Sequence, residues 1–259
     1  MSDYNPYESP RAIEPPQSRR PAWSRGLFAS GHTRAVFAMA LLGLMVVLNF
    51  GNIYSNWLQY ELLDQVKHGK TFSEPALRAN DVRHATVVTA ELIGLVLTAI
   101  AFLMWTHRAY SNLPALGARN LETSPGWAVG WYFIPFANLV KPYSAMVEIV
   151  RHSNPKGIGI NASATSTAIV GFWWVFYLAH GVIGSFGGIT VNGGIKTHSI
   201  NAMMSGTAIT MVGKIVSIVA ALLAILVVMR VDKEQEERFK LLSSQEADQG
   251  QGGQSAEWL

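Results

Sequence analysis

The chain has 259 residues, of which 49% are hydrophobic and only 14% charged, where a soluble domain carries about 25% charge. Several apolar runs reach the roughly 20 residues needed to span a bilayer, so the composition excludes an ordinary soluble globule. With no cysteine, disulfides, thiolate metal sites and cysteine nucleophiles are excluded as well. The net charge of +3 comes from basic residues dispersed beside the apolar runs. That pattern orients helices in a membrane and leaves no footprint for nucleic acid.

Residues 1–30 hold Pro6, Pro10, Pro15, Pro16 and Pro21 among scattered arginines. This leader cannot bury a core and is predicted to be a disordered tail. It does not read as a signal peptide, because the first apolar run starts near Ala35 and no small-residue cleavage pattern closes it. That run, Ala35 to Tyr54, is the first predicted span. Asn49, Asn52 and Asn56 are polar but uncharged, and are expected to end its apolar core.

Leu58, Leu62, Leu63 and Val66 extend the helical pattern beyond the membrane edge until Gly69 offers a stop. Ser73, Glu74 and Pro75 then read as an N-cap and first turn. Helices one and two should therefore protrude as an antiparallel hairpin. The second span enters near Ala85 and leaves near Trp105, with Glu91 as its one charge. The polar junction THRAYSNLPALGARNLETSP follows, then GWAVGWYFIPFANLVKPY (126–143) and an amphipathic piece, YSAMVEIVRHSN. Two further spans are read at Ala168 to Gly188 and at Thr207 to Met229, the latter with Lys214 as its one charge. Residues 231–259 form a charged helical extension that passes into a Gln/Gly/Ser-rich disordered end. The membrane domain is thus 31–230.

Topology turns on segment 126–143. Only Gly126 to Val140 separate the preceding polar junction from Lys141, which is short for a crossing. Pro135 and Pro142 each remove a backbone hydrogen bond, and non-helical backbone at membrane depth survives only under cover of protein or water. The alternative is a proline-kinked helix that crosses. If the segment returns, there are four crossings and both chain ends share a side. Of the 20 Lys and Arg residues, Lys67, Lys70, Arg78, Arg83 and Lys196 then lie outside, Lys214 lies in the membrane and all the others lie inside. Five crossings bring the two sides near parity. The positive-inside rule therefore favours four crossings, with both termini in the cytoplasm. The predicted fold is an all-α integral membrane protein with four transmembrane helices. A proline-broken re-entrant or interfacial helix sits between the second and third, carrying Trp127, Trp131, Pro135, Asn138 and Pro142, with its aromatic residues at headgroup level.

Three stretches carry a resemblance: WTHRAYSNLPALGA (105–118), SPGWAVGWYFIPFANLVKPYSAMVEI (124–149) and FWW (172–174). In them the chain resembles a family of uncharacterised bacterial membrane proteins known as domain of unknown function 4328. The resemblance extends over roughly Ala35 to Met229. It implies a multi-helix integral membrane protein, by extension in a bacterial inner membrane, and brings no activity, ligand or catalytic residue.

The chemistry-bearing residues are few. An unpaired charge at mid-membrane costs about 2.5–3.5 kcal/mol. In the four-crossing topology both Glu91 and Lys214 lie about 10 Å from the outer face, at 1.5 Å per residue. Glu91, Gly94, Thr98 and Ala101 share one helix side; Lys214, Ser217 and Ala221 share another. The small residues permit close approach, so an intramembrane ion pair of Glu91 and Lys214 is expected. Its role is either register-setting, with Lys214 snorkelling as a variant of that reading, or part of a polar path with His180. Gly184 and Gly188, with Gly181 a turn earlier, make a G-x-x-x-G step for helix packing. Trp173 and Trp174 read as packing or interface anchors. Arg108 and Arg119 can hold an anionic lipid headgroup or serve as positive-inside anchors.

No H-E-x-x-H, no pair of histidines at i, i+4, no nucleophile elbow, no Walker loop and no dinucleotide fingerprint occurs. No cofactor or metal is therefore predicted. The expected role is a membrane scaffold or interaction protein without enzymatic activity, partnered by the bilayer and by a second copy or another membrane protein. The alternatives are a small transporter or channel using Glu91, Lys214 and His180, and then a lipid-modifying enzyme. A packed interior without a cavity would favour the scaffold.

Overall fold

The structure is a computed structural model that describes residues 28–156 and 160–255, with side chains at 28–156 and 167–245. The leader before residue 28 and the last four residues lie outside the described residues, and with them the expectation of disordered ends there. Among the described residues there are six α-helices and no strand: α1 (His32–Lys67), α2 (Glu74–Ser111), α3 (Pro125–Gly130), α4 (Lys141–Ser153), α5 (Ile160–Lys196) and α6 (Ile200–Ser255). Short 3-10 turns at Trp131–Phe133 and Ala137–Leu139 join α3 to α4. Four of the helices, α1, α2, α5 and α6, are long and apolar enough to cross a membrane. The molecule is an all-α, multi-pass membrane protein.

The hairpin of α1 and α2 turns where the sequence places it. Gly69 adopts φ +85°, a left-handed conformation that glycine reaches without a Cβ penalty, and the Lys70 amide donates back to the Gln65 carbonyl. Ser73 is the N-cap of α2, although its hydroxyl does not cap; Pro75 supplies the first-turn geometry instead. At the far end α6 runs as one helix through the charged tail to Ser255.

In cross-section α5 packs on α6, α6 on α1 and α1 on α2, so α2 and α5 are the two ends of a series. The α5–α6 seam brings backbones together. A Cβ on Gly206 would lie 2.6 Å from the Val191 amide nitrogen, one on Gly187 2.9 Å from the Thr210 amide nitrogen, and one on Gly194 2.7 Å from the Met203 amide nitrogen. This corrects the glycine step read from the sequence. A Cβ on Gly181, Gly184 or Gly188 would meet nothing within 4 Å; of the three, only Gly184 receives α6 closely, where a Cβ on Gly213 would lie 3.3 Å from the Gly184 amide nitrogen. Each residue turns a helix by about 100°, so the face through Gly187 and Gly194 carries Gly184 and Val191 and leaves Gly188 off to one side.

The segment after α2 goes in and comes back. At its start, the Tyr110 hydroxyl donates to the Glu148 carboxylate and accepts from the Thr123 amide, while the Glu122 amide donates to that same carboxylate. At its finish, Gln235 Nε2 donates to Ser153 Oγ and to the Ala109 carbonyl of α2, and Gln235 Oε1 accepts from Asn112 Nδ2. Both ends of the insert are therefore tied to one end of the bundle. Between them Tyr132 packs edge-on to Trp174, and Trp174 Nε1 donates to the Leu139 carbonyl. The tip carries Phe136 at φ +64°, a conformation unfavourable for a bulky residue. Phe136 and Phe133 are the tip's most exposed side chains, at 86% and 72%. The segment is a helix–break–helix element that returns to the end of the bundle it left, as expected of a re-entrant or interfacial helix.

The same end of the bundle also receives residues 28–32. Phe28 stacks on Phe239 at 4.1 Å, the Ala29 carbonyl accepts from Arg108 and Asn112, and His32 Nδ1 pairs with Asp232. The start of α1, the end of α2, both ends of the insert and the extension of α6 lie together, as four crossings require.

Candidate functional site

Two features run through the bundle: a polar file and an apolar cleft. The file begins at the hairpin. Asn80 Nδ2 donates to Gln59 Oε1 at 2.6 Å, and Arg83 donates to Asn80 Oδ1 at 2.7 Å and to the Ser55 carbonyl at 3.2 Å. Beside it lies an open cavity of about 520 Å³, lined by Glu61, Gln65, Phe72, Asn80 and Arg83 among others.

A turn deeper, Asn56 Nδ2 donates to Asn52 Oδ1, Asn52 Nδ2 donates to Glu91 Oε2, and Lys214 Nζ donates to Glu91 Oε1. Glu91 and Lys214 are mostly buried, with side chains 15% and 22% exposed. Every hydrogen-bonding partner of the carboxylate is thus a nitrogen donor, which suits a charge held out of water. Gly94, one turn from Glu91, lets α1 approach: a Cβ there would lie 2.7 Å from Leu48 Cδ1. Thr98, on the same face, turns its hydroxyl onto the Gly94 carbonyl at 2.7 Å.

The asparagines are the correction here. Expected to end the apolar core of the first span, they are instead buried within it. Asn49 is 0%, Asn52 2% and Asn56 5% exposed. The signal was present in their spacing: 49, 52, 56 and 59 fall on one helical face, turned toward partners rather than lipid.

The cleft has a volume of about 290 Å³ and lies where α2 and α5 do not close on each other. Leu42 and Met45 of α1 and Ser217, Ala221 and Ala224 of α6 form its floor. Thr98 and Phe102 of α2 face Trp173, Tyr177 and His180 of α5, and Tyr132 and Phe133 of the re-entrant element cap it. Small residues at 217, 221 and 224 leave the space. Phe102 and Trp173 approach to 5.7 Å and link the two walls.

Two polar atoms on cleft-lining side chains, Tyr132 Oη and His180 Nδ1, are buried with no hydrogen-bond partner among the described residues. The backbone carbonyls of Phe176 and Tyr177 lie near the His180 ring. His180 therefore sits at the cleft wall, in electrostatic reach of Glu91 and Lys214 but bonded to neither.

The remaining residues singled out by sequence divide. Trp127 and Trp131 stack at 4.7 Å, and Lys141 lies 5.9 Å from the Trp131 ring centre. Pro135 is exposed at the tip, the Asn138 amide donates to the Ile134 carbonyl, and Pro142 is buried at the start of α4. Trp173 and Trp174 are buried packing residues that touch each other at 5.4 Å. Arg108 holds the Ala29 carbonyl, whereas Arg119 is exposed with no ion pair or hydrogen bond among the described residues. No group of three His, Asp or Glu side chains among the described residues is placed to hold a metal ion.

Four apolar crossings, one re-entrant element and an apolar cleft define an integral membrane protein of the small helical-bundle class. The family described as domain of unknown function 4328 (DUF4328) matches residues 69–233, and the chain belongs to that family. The match starts later than the Ala35 expected from the resemblance. It takes in Glu91, His180 and Lys214 but leaves out α1 with its asparagine face. No curated protein and no solved structure matches the chain.

Proposed function

We propose that the protein is a membrane binding protein that holds a lipid-soluble ligand in the cleft between α2 and α5. The cleft is the observation that carries this reading. A scaffold asked for a packed interior, and about 290 Å³ of space stands between the helices instead, close to the lower end of ligand-site volumes, about 300 Å³, and with a mostly apolar lining. A ligand reaching it comes from the bilayer, since the re-entrant cap covers one end and the ion pair lies toward the other.

Photolabelling with a phospholipid bearing a diazirine on its acyl chain tests this. Label is expected on peptides containing Thr98 to Phe102 and Ser217 to Ala224 above the level on the lipid-facing Leu222 and Leu226 surface, and Ala221→Phe should remove the excess. Uniform labelling that Ala221→Phe leaves unchanged would overturn the reading.

A second reading, a small transporter, draws on the polar file that leads from the hairpin cavity to Glu91 and Lys214. It requires ion or solute flux in proteoliposomes that Glu91→Gln abolishes; its absence removes that reading. For location we propose a bacterial cytoplasmic membrane with the shared end of residues 28–32 and α6 inward, supported by the charge asymmetry. A periplasmic reporter signal from a fusion after Arg230 would reverse that orientation.

A further inference from the structure

We infer that the open cavity in the hairpin of α1 and α2 binds a short apolar peptide with free ends, its carboxylate at Arg83 and its ammonium at Glu61. The cavity, about 520 Å³, is of a size that holds small ligands, and it is separate from the cleft. Its lining runs from Leu58 to Gln65 on one side and from Phe72 to Arg83 on the other. The apolar runs of the two helices lie beyond it, before Tyr54 and after Ala85. A ligand here arrives from water, not from lipid.

The lining holds two charges of opposite sign that do not neutralise each other. Neither Arg83 nor Glu61 forms an ion pair among the described residues. Arg83 is fixed by neutral acceptors alone. Its Nε donates to Ser55 Oγ, and its Nη2 donates to the Ser55 carbonyl and to Asn80 Oδ1. Asn80 is itself buried and held by Gln59. The guanidinium is therefore set in place from both helices, with its charge unmatched and its Nη1 donors uncommitted among the described residues. Glu61 is exposed, and its one hydrogen bond is long, 3.5 Å from Gln65 Nε2. Lys70 is engaged with Gln65 Oε1 and the face of Phe72 and does not line the cavity. A molecule carrying one anionic and one cationic group answers both open charges.

Spacing and walls narrow that class. Glu61 stands six residues beyond Ser55, which anchors Arg83, and so about 9 Å further along α1 at 1.5 Å per residue. A free amino acid carries both charges on one carbon and reaches one end at a time. An extended peptide advances about 3.3–3.6 Å per residue, and a tripeptide covers the interval. Along it Leu58, Leu62, Phe72, Ala76 and Ala79 present apolar wall. Such wall rewards apolar side chains and offers nothing to a bare zwitterionic headgroup.

The experiment titrates the full chain in nanodiscs with leucyl-alanyl-leucine by calorimetry, beside the same peptide acetylated at its amino end. Saturable binding of the free peptide is expected, with the acetylated form about fivefold weaker, the scale of a partly exposed ion pair. Glu61→Gln, at an exposed position that leaves the melting temperature unchanged, should weaken the free peptide by the same factor. It should leave the acetylated peptide as it was, because that form has no ammonium to lose. Ala76→Trp, on the cavity wall, should abolish binding of both. An absence of saturable heat in the wild type overturns the inference, as does equal affinity for the two peptides. Binding that Ala76→Trp leaves intact places the peptide elsewhere and overturns it too. Displacement of the peptide by equimolar phosphoethanolamine would take the cavity from peptides and give it to lipid headgroups.

Discussion

The α5–α6 seam and the α2–α5 cleft are built from the same small residues and come to opposite ends. Along the seam, Gly187, Gly194 and Gly206 meet backbone directly, at Cβ-equivalent distances under 3 Å. In the cleft, Ser217, Ala220, Ala221 and Ala224 of α6 face a wall that stands away from them. Without a hydrophobic drive between helices in lipid, close packing has to come from shape. A small residue closes a gap only where a small residue or bare backbone faces it. Where Trp173 and Phe102 stand opposite, bulky side chains prop the helices apart and the same smallness leaves space.

The contrast can be broken first at the seam. Gly206→Val puts a side chain against the Val191 backbone, which cannot rotate away, and should cost about 3 kcal/mol or more. The expected result is a collapse of the detergent melting temperature or a failure to express. A stable, folded variant would mean that the backbones do not meet there.

The ion pair comes next. Lys214→Met leaves Glu91 with Asn52 as its only partner and should destabilise by about 2 kcal/mol. The exchanged pair, Glu91→Lys with Lys214→Glu, should recover most of that in the same melting assay. Recovery no better than either single change would show that the two side chains do not act on each other.

The smallest effects sharpen the comparison. Ala221→Phe fills the cleft and should move stability by less than about 1 kcal/mol, because the space already exists to receive it. Gly188→Ala, one position beyond Gly187, should be neutral within about 0.5 kcal/mol, since a Cβ there meets nothing. A large loss in Gly188→Ala would put that glycine on a buried interface with a second copy.

Much of the fold was legible because hydrophobicity and helix-breaking act locally. The spans, the turn at Gly69 and the broken insert between Pro135 and Pro142 all follow from residues close in sequence. Counting turns set Glu91 and Lys214 at one level, and the two side chains do pair. Features that depend on what faces a residue were less readable. Asn49, Asn52 and Asn56 looked like the end of a span, because an asparagine is costly in lipid unless another helix supplies its partner, and Glu91 lies 39 residues beyond Asn52. Gln235, hidden in a charged tail, joins α2, α4 and α6 through three hydrogen bonds, a role visible only when Asn112 and Ser153 stand beside it. The cleft was not legible at all. Four helices and the insert each contribute ordinary residues, and the space among them is a property of none singly.

The re-entrant element has a mechanical consequence. Because α3 and α4 enter and leave by the same end of the bundle, they add cross-section at that end alone, and a bilayer around the four spans would meet a wider footprint in one leaflet than in the other. Lipids there are displaced over a larger area, and the exposed Phe133 and Phe136 at the tip add to it. Such a tapered inclusion is accommodated with least strain where the leaflet holding its broad end lies on the outside of a bend. The chain should therefore gather on convex regions of that leaflet, and a population of them would in turn favour bending the sheet that way.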